Sequence, residues 1–250
     1  KKFNNIDLAM LNYNAAGPYP SCFDNLSPKQ KKSEHNRILK RNFDHLCKII
    51  PTLKPKSVLP FAGSYVIGGK FSYKNKYLGT TTQDECAEYL ENILKKEYKI
   101  IRLRENHQYD ISKQKCFSNY RKINKSELNK YLKKISSVKY DYELDTEPKI
   151  DILRKDIFKA KKKFQDNIKK FRINIESNVY IKLKNKNIKI YKGSNKKRKI
   201  FCEMDHKLIR RILDKKSHWN NAEIGAHINF YREPNVMEPD LHTCLSFFHL

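Results

Sequence analysis

The chain has 250 residues, 53 of them Lys or Arg against 27 Asp or Glu, for a formal net charge of +26. Hydrophobic residues make up 39%, with 15 Tyr and 13 Phe, which excludes a disordered composition and allows one large core or two modest ones. No apolar run approaches the ~20 residues that span a bilayer, and no apolar stretch of signal-peptide type follows Lys1, so a cytoplasmic protein is expected.

In chain order, Ile6 to Asn12 is an apolar run of strand length that ends in the Gly/Pro-rich loop Asn14-Ala15-Ala16-Gly17-Pro18-Tyr19-Pro20. Ser27-Pro28 reads as an N-cap with Pro in the first turn. Apolar residues then recur at helical spacing to about Ile50, where Pro51 is expected to stop the helix. Ser57 to Phe61 is a second short strand, followed by the loop Ala62-Gly63-Ser64-Tyr65 and Gly68-Gly69. A second helix is expected from Thr82 to Lys96. Strand, loop, helix, strand, loop, helix is a βαβ-type order, whose loops gather at the C-terminal edge of the strands.

Lys99 to Leu103 reads as a strand and Ser126 to Ile135 as a helix. Pro148 precedes a basic amphipathic helix from Ile150 to Phe171, whose lysines suit a nucleic acid, a membrane surface or plain solvent. Asn178 to Leu183 and Asn187 to Tyr191 alternate as a β-hairpin. A strand at Lys199 to Met204 and a helix at His206 to Leu213 follow, and strands are expected at Ile224 to Tyr231 and Thr243 to Leu250. Six scattered cysteines without a CxxC pair read as reduced thiols. Lys far outnumbers Arg among the cations, so much of the positive charge reads as compositional rather than as phosphate recognition.

Three stretches resemble one family. Residues 7–23, from Asp7-Leu8-Ala9-Met10 through Gly17-Pro18-Tyr19-Pro20 to Phe23, are similar to a late strand and loop of metallo-β-lactamase-fold proteins. The branch includes the cytidine-monophosphate-N-acetylneuraminate hydroxylases. Pro60-Phe61-Ala62-Gly63-Ser64-Tyr65 resembles the last core strand of that fold, and Trp219 to Arg232 with Ser246-Phe247-Phe248-His249 resembles the tail of bacterial members, many encoded with surface-polysaccharide biosynthesis genes.

The resemblance implies an α/β fold: the C-terminal half of a metallo-β-lactamase αββα sandwich over residues 1–100, a connecting segment at 101–148, and a small α+β domain at 149–250. It implies a hydrolase-like or hydroxylase-like enzyme acting on a sugar, sugar nucleotide or related anion. Zinc or iron would be held by an HxHxDH motif that this sequence lacks, so the chain is expected to be the C-terminal part of a longer protein, inactive alone and binding no metal itself. Where many relatives place a last metal-ligating His, this chain has Ala62.

The substrate-pocket candidates are Asn14, Gly17, Tyr19, Gly63, Ser64, Tyr65, Trp219 and Arg232. Glycines let backbone N–H groups approach an anion, or simply set sharp turns; Tyr19 and Tyr65 offer stacking faces; Ser64 offers a donor. Trp219 reads as a sugar platform or a core anchor, and Arg232 as an anion contact or a surface ion pair. His218, Glu223 and His227 are the weak alternative for a metal site, with no spacing that enforces it. A basic nucleic-acid-binding or nuclease-associated protein, or a non-catalytic partner-binding fragment, is the rival function.

Overall fold

In the computed structural model, which describes residues 5–95 and 97–250, the first expected strand is β1 (Leu8–Asn12). It pairs in parallel with β2 (Ser57–Phe61), which pairs in parallel with the short β3 (Lys99–Ile100). Between β1 and β2 lies α1 (Pro28–Leu53), opened by a capping box in which Ser27 and Gln30 exchange side-chain and backbone bonds. Pro51 does not stop α1. It sits in the last turn, where its missing N–H costs one bond, and the helix ends at Lys54, left-handed at φ 51°, whose N–H reaches Ile50 O at 2.8 Å.

Thr82 caps α2 (Gln83–Ile93) in the same manner. Its expected end at Lys96 lies outside the described residues. Tyr13, Phe43, Leu46, Ile50, Val58, Cys86 and Leu90 are buried together where α1 and α2 meet the strands.

The middle of the chain holds a two-stranded hairpin, β4 (Tyr109–Asp110) and β5 (Lys115–Cys116), then α3 (Lys125–Ile135) and the long α4 (Ile150–Lys170). One stripe of α4 is fully packed: Leu153, Ile157, Ala160, Phe164 and Ile168 recur at three- and four-residue intervals. It covers one face of a second sheet in the order β7-β6-β8-β9, made of β6 (Asn178–Leu183), β7 (Lys186–Tyr191), β8 (Lys199–Glu203) and β9 (Asn229–Glu233). The β6–β7 hairpin is antiparallel as expected, whereas β8 returns parallel to β6.

Two expected strands are corrected. Residues Trp219–Ile224 form helix α6, and the strand begins only at Asn229; Trp219, Ala222 and Glu223 are buried at helical spacing. Thr243 to Leu250 is not a strand. Pro239 opens helix α7 (Pro239–Leu245), which buries Leu241, Cys244 and Leu245, and Phe248 follows into the same core. Ile224 to Tyr231 alternates and Thr243 to Leu250 is an apolar run, but burial at three- and four-residue spacing decides for helix in α6, as does Pro239 at the helix start in α7. Helix α5 (His206–Leu213) falls as expected.

The larger core does not stop at the second sheet. Cys22, Phe23, Leu26, Ile67 and Leu78 pack into the same cluster as Ile157, Ile181, Phe230 and Phe248. Phe23 also bridges Phe230 in parallel, with Asp24 N on Phe230 O and Phe230 N on Cys22 O, both at 2.8 Å. The loop after β1 thereby continues the sheet beyond β9.

Candidate functional site

A cavity of about 510 Å³ opens where the loop after β1 meets β9, α6 and α7. Ala15 to Tyr19 and Phe23 form one wall, Glu34, Arg37 and Arg41 of α1 a second, and Glu223, Arg232, Asn235 and His242 a third. Its size is that of a small-molecule site. It lies at the C-terminal end of a parallel strand, where open α/β sheets commonly place their ligands.

Arg232 dominates its chemistry. The residue is 8% exposed, and its guanidinium lies over the Phe23 ring at 4.4 Å and the Tyr19 ring at 4.7 Å. Nε donates to Asn235 Oδ1 at 2.7 Å. Among the described residues no carboxylate comes within ion-pair distance of it. Burial lowers its pKa, against the opposing pull of Tyr19 and Glu34. Buried cations are ordinarily paired, so one left facing a cavity marks a place for an anion.

The nearest carboxylate is held by other groups and not by Arg232. Tyr19 OH donates to Glu34 Oε2 at 2.9 Å and accepts from Asn235 Nδ2 at 3.3 Å. Arg37 grips the same Glu34 oxygen through Nε at 3.0 Å and Nη2 at 2.6 Å, and the Arg37 bonds hold the Glu34 carboxyl below its ordinary pKa. A continuous chain of bonds thus runs from α1 through Tyr19 and Asn235 to Arg232. On the opposite side, Glu223, 4% exposed, accepts from Trp219 Nε1 at 2.7 Å and lies 3.1 Å from His242 Nδ1 through each of its oxygens.

Of the residues singled out from the sequence, the pocket candidates Gly17, Tyr19 and Arg232 and the metal candidate Glu223 line this cavity. Asn14 is turned away and closes a two-way bond with the Thr81 backbone, Nδ2 to O at 2.8 Å and N to Oδ1 at 3.0 Å. Gly63, Ser64 and Tyr65 do not line the cavity: Gly17 N donates to Tyr65 OH at 3.4 Å, and a Cβ on Gly63 would stand 3.7 Å from Tyr13 OH. Trp219 is a core anchor, 2% exposed and edge-on to Phe248. Glu34, Arg37, Asn235 and His242 were not anticipated. Glu34 and Arg37 sit in a helix whose charges look like an ordinary solvated face, and only the tertiary fold brings Asn235 and His242 to the loop.

The three metal candidates do not form one ligand set, although His218 and His227 line the same second cavity. Glu223 is committed to Trp219 and His242, His227 Nδ1 to Tyr142 OH at 3.2 Å, and His218 is exposed on the rim of a different cavity. Among the described residues no three His, Cys, Asp or Glu side chains are grouped to hold a metal ion, so these residues do not fit the zinc or iron that the resemblance implies. That other cavity, about 800 Å³, is lined by Tyr140, Arg211, Lys215, His218 and His249 among others. Its arginine is already paired with Asp145 at 2.5 Å, and its lysines stand exposed in water, so it holds no buried unpaired charge.

No family model matches the chain, and neither the curated proteins nor the solved structures contain a significant match. No helix of the described residues is long and apolar enough to cross a membrane.

Proposed function

We propose that the cavity around Arg232 binds a small anion of the sugar or sugar-nucleotide class, and that the chain is the substrate-binding part of a larger hydrolase-like or hydroxylase-like enzyme. The observation that carries this reading is the buried guanidinium of Arg232, lying against two rings and without a carboxylate partner toward the cavity. The rings and Asn235 hold the fork in place before a ligand arrives, which lowers the ordering cost of binding. A phosphate or carboxylate can then take two parallel N–H bonds. The loop from Ala15 to Tyr19 supplies an apolar wall and the Tyr19 ring edge for the body of the ligand. The same loop carries the resemblance to the metallo-β-lactamase-fold branch, which supports the assignment of fold half and substrate class together. Among the described residues no group of His, Cys, Asp and Glu offers a metal ion a ligand set.

Calorimetric titration with ribose 5-phosphate, cytidine monophosphate and N-acetylneuraminate, beside ribose and cytidine as neutral controls, tests the reading. The anions are expected to bind and the neutral molecules to bind far more weakly. Arg232→Met should weaken the anions by about tenfold to a hundredfold, the worth of hydrogen bonds to a charged group. Equal binding of anions and neutral molecules, or an unchanged Arg232→Met variant, contradicts it.

One observation favours the rival. The outer side of α4 exposes Arg154, Lys155, Lys159, Lys162, Lys169 and Lys170, and Phe158, 46% exposed, lies beside Arg154 and Lys161. A nucleic acid on this face would bind with an affinity that falls steeply as salt rises. Salt-independent or absent retention of single-stranded oligonucleotides removes that reading.

A further inference from the structure

We propose that Glu223 and His242 form a proton-holding dyad in the Arg232 cavity, and that the ligand is a phosphate monoester whose oxygens are bonded by Arg232 and His242 together. The proposal rests on the anion-pocket reading above and names its substrate class.

The geometry fixes the imidazole. Both Glu223 oxygens lie 3.1 Å from His242 Nδ1, and Oε1 also accepts from Trp219 Nε1. An ionised carboxylate only accepts, so the neutral ring carries its proton on Nδ1 and presents a bare lone pair at Nε2. No described residue is bonded to Nε2. The ring is held edge-on against Phe230 at 5.5 Å, and His242, Glu223 and Arg232 line the same cavity. A mere staple between α6 and α7 needs Nδ1 alone and gives no reason for His242 to line the same cavity as an arginine without a carboxylate partner.

The charged groups around the ring are few. Glu223 is bonded to it from α6, Arg232 of β9 and Lys199 of β8 share a cavity lining with it, and Asp240 lies on its own helix. Glu238, at the start of α7, is committed to the backbone N–H groups of Glu176 and Ser177, and Arg198 across the sheet is paired with Glu176 at 2.8 Å. The negative charge of a phosphate monoester dianion entering beside Nε2 favours the imidazolium, so one proton passes from solvent onto that nitrogen. The imidazolium, still bonded to Glu223 through Nδ1–H, donates Nε2–H to a phosphoryl oxygen, and no covalent bond of the ligand changes. With the imidazolium counted, three guanidiniums (Arg37, Arg41 and Arg232) and His242 against two carboxylates (Glu34 and Glu223) leave a charge of +2 around the cavity, which matches a dianion better than a monoanionic carboxylate. His242 touches the ligand, and Glu223 acts through it as a positioning residue.

The test is calorimetry of ribose 5-phosphate binding near pH 7 in two buffers of different ionisation enthalpy, which counts the protons taken up. The native chain should take up a measurable fraction of a proton per ligand. His242→Gln should still bind, about tenfold more weakly, with that uptake lost except for any belonging to the phosphate itself. Glu223→Gln should reduce the uptake while Arg232 still binds. Binding with the same uptake in His242→Gln overturns the dyad and leaves the anion pocket standing, whereas no binding at all overturns both. Long-range nitrogen NMR of the free chain is the second measurement, because it does not depend on ligand or variant. It should find His242 protonated on Nδ1 when neutral, and a neutral ring protonated on Nε2 also overturns the proposal.

Discussion

Lys74 shows how firmly single residues tie this molecule together. It is 2% exposed, donates to Ala226 O at 2.7 Å and Asn229 Oδ1 at 2.6 Å, and lies over the Phe71 ring at 4.4 Å. Burial lowers its pKa, partly offset by Cys22 beside it. Replacing it with Met should cost about 1–3 kcal/mol in a denaturant titration, because two buried acceptors lose their donor. An unchanged midpoint would show that these acceptors find other partners.

His227 makes a second prediction at this scale. Burial, with Lys74 and Lys70 nearby, pushes its pKa down to about 4. The folded chain therefore holds the neutral ring while the unfolded chain protonates near 6.5. Its contribution is complete above about pH 6.5 and is lost as pH falls from there toward 4. His227→Phe should flatten that limb of the stability curve, measured as melting temperature against pH, and an equally steep limb would contradict the assignment. Arg232 and Tyr19 were legible as candidates from their loop and strand-end positions. His242 and Glu34 were not, because their role comes from partners 19 and 15 residues away in sequence and no local pattern announces it.

At the scale of elements, caps and strands read most directly. Ser27-Pro28 and Thr82 do in the fold what their side chains promise, and Ser57–Phe61 falls where its apolar run placed it. The errors cluster near the C-terminus, where α6 and α7 are too short for a clear period and burial rather than propensity selects helix. Connections were the least legible. Gly193, between β7 and β8, approaches Glu176 so closely that a Cβ would stand 2.0 Å from its carbonyl oxygen. Gly193→Ala should therefore displace the crossover and destabilise by about 1–3 kcal/mol, the cost of overpacking. A neutral result would show that the segment shifts freely. β1 is the edge strand of its sheet, as its order implies, and Met10 stands 49% exposed on it. Such edges pair with other chains unless charged, so Met10→Lys is expected to reduce concentration-dependent association in sedimentation experiments.

For the whole molecule, the formal charge of +26 sets the electrostatic background. Self-repulsion of this size is screened by salt, so the melting temperature should rise between ~0.01 M and ~0.15 M salt, as the Debye length shrinks from about 30 Å to 8 Å. The α/β character was readable from the order of elements, and a shared core was not. Phe23 and Leu26 come from the first loop, yet they are packed with Phe230 and the α4 stripe, and that packing builds the cavity. The central claim is that this junction holds an anion through Arg232. Its most direct measurement is the Arg232 Nε–H resonance during addition of ribose 5-phosphate. The account predicts a saturable shift there, with Arg211 and the other cavity undisturbed. An unmoved Arg232 signal while Arg211 shifts would contradict it.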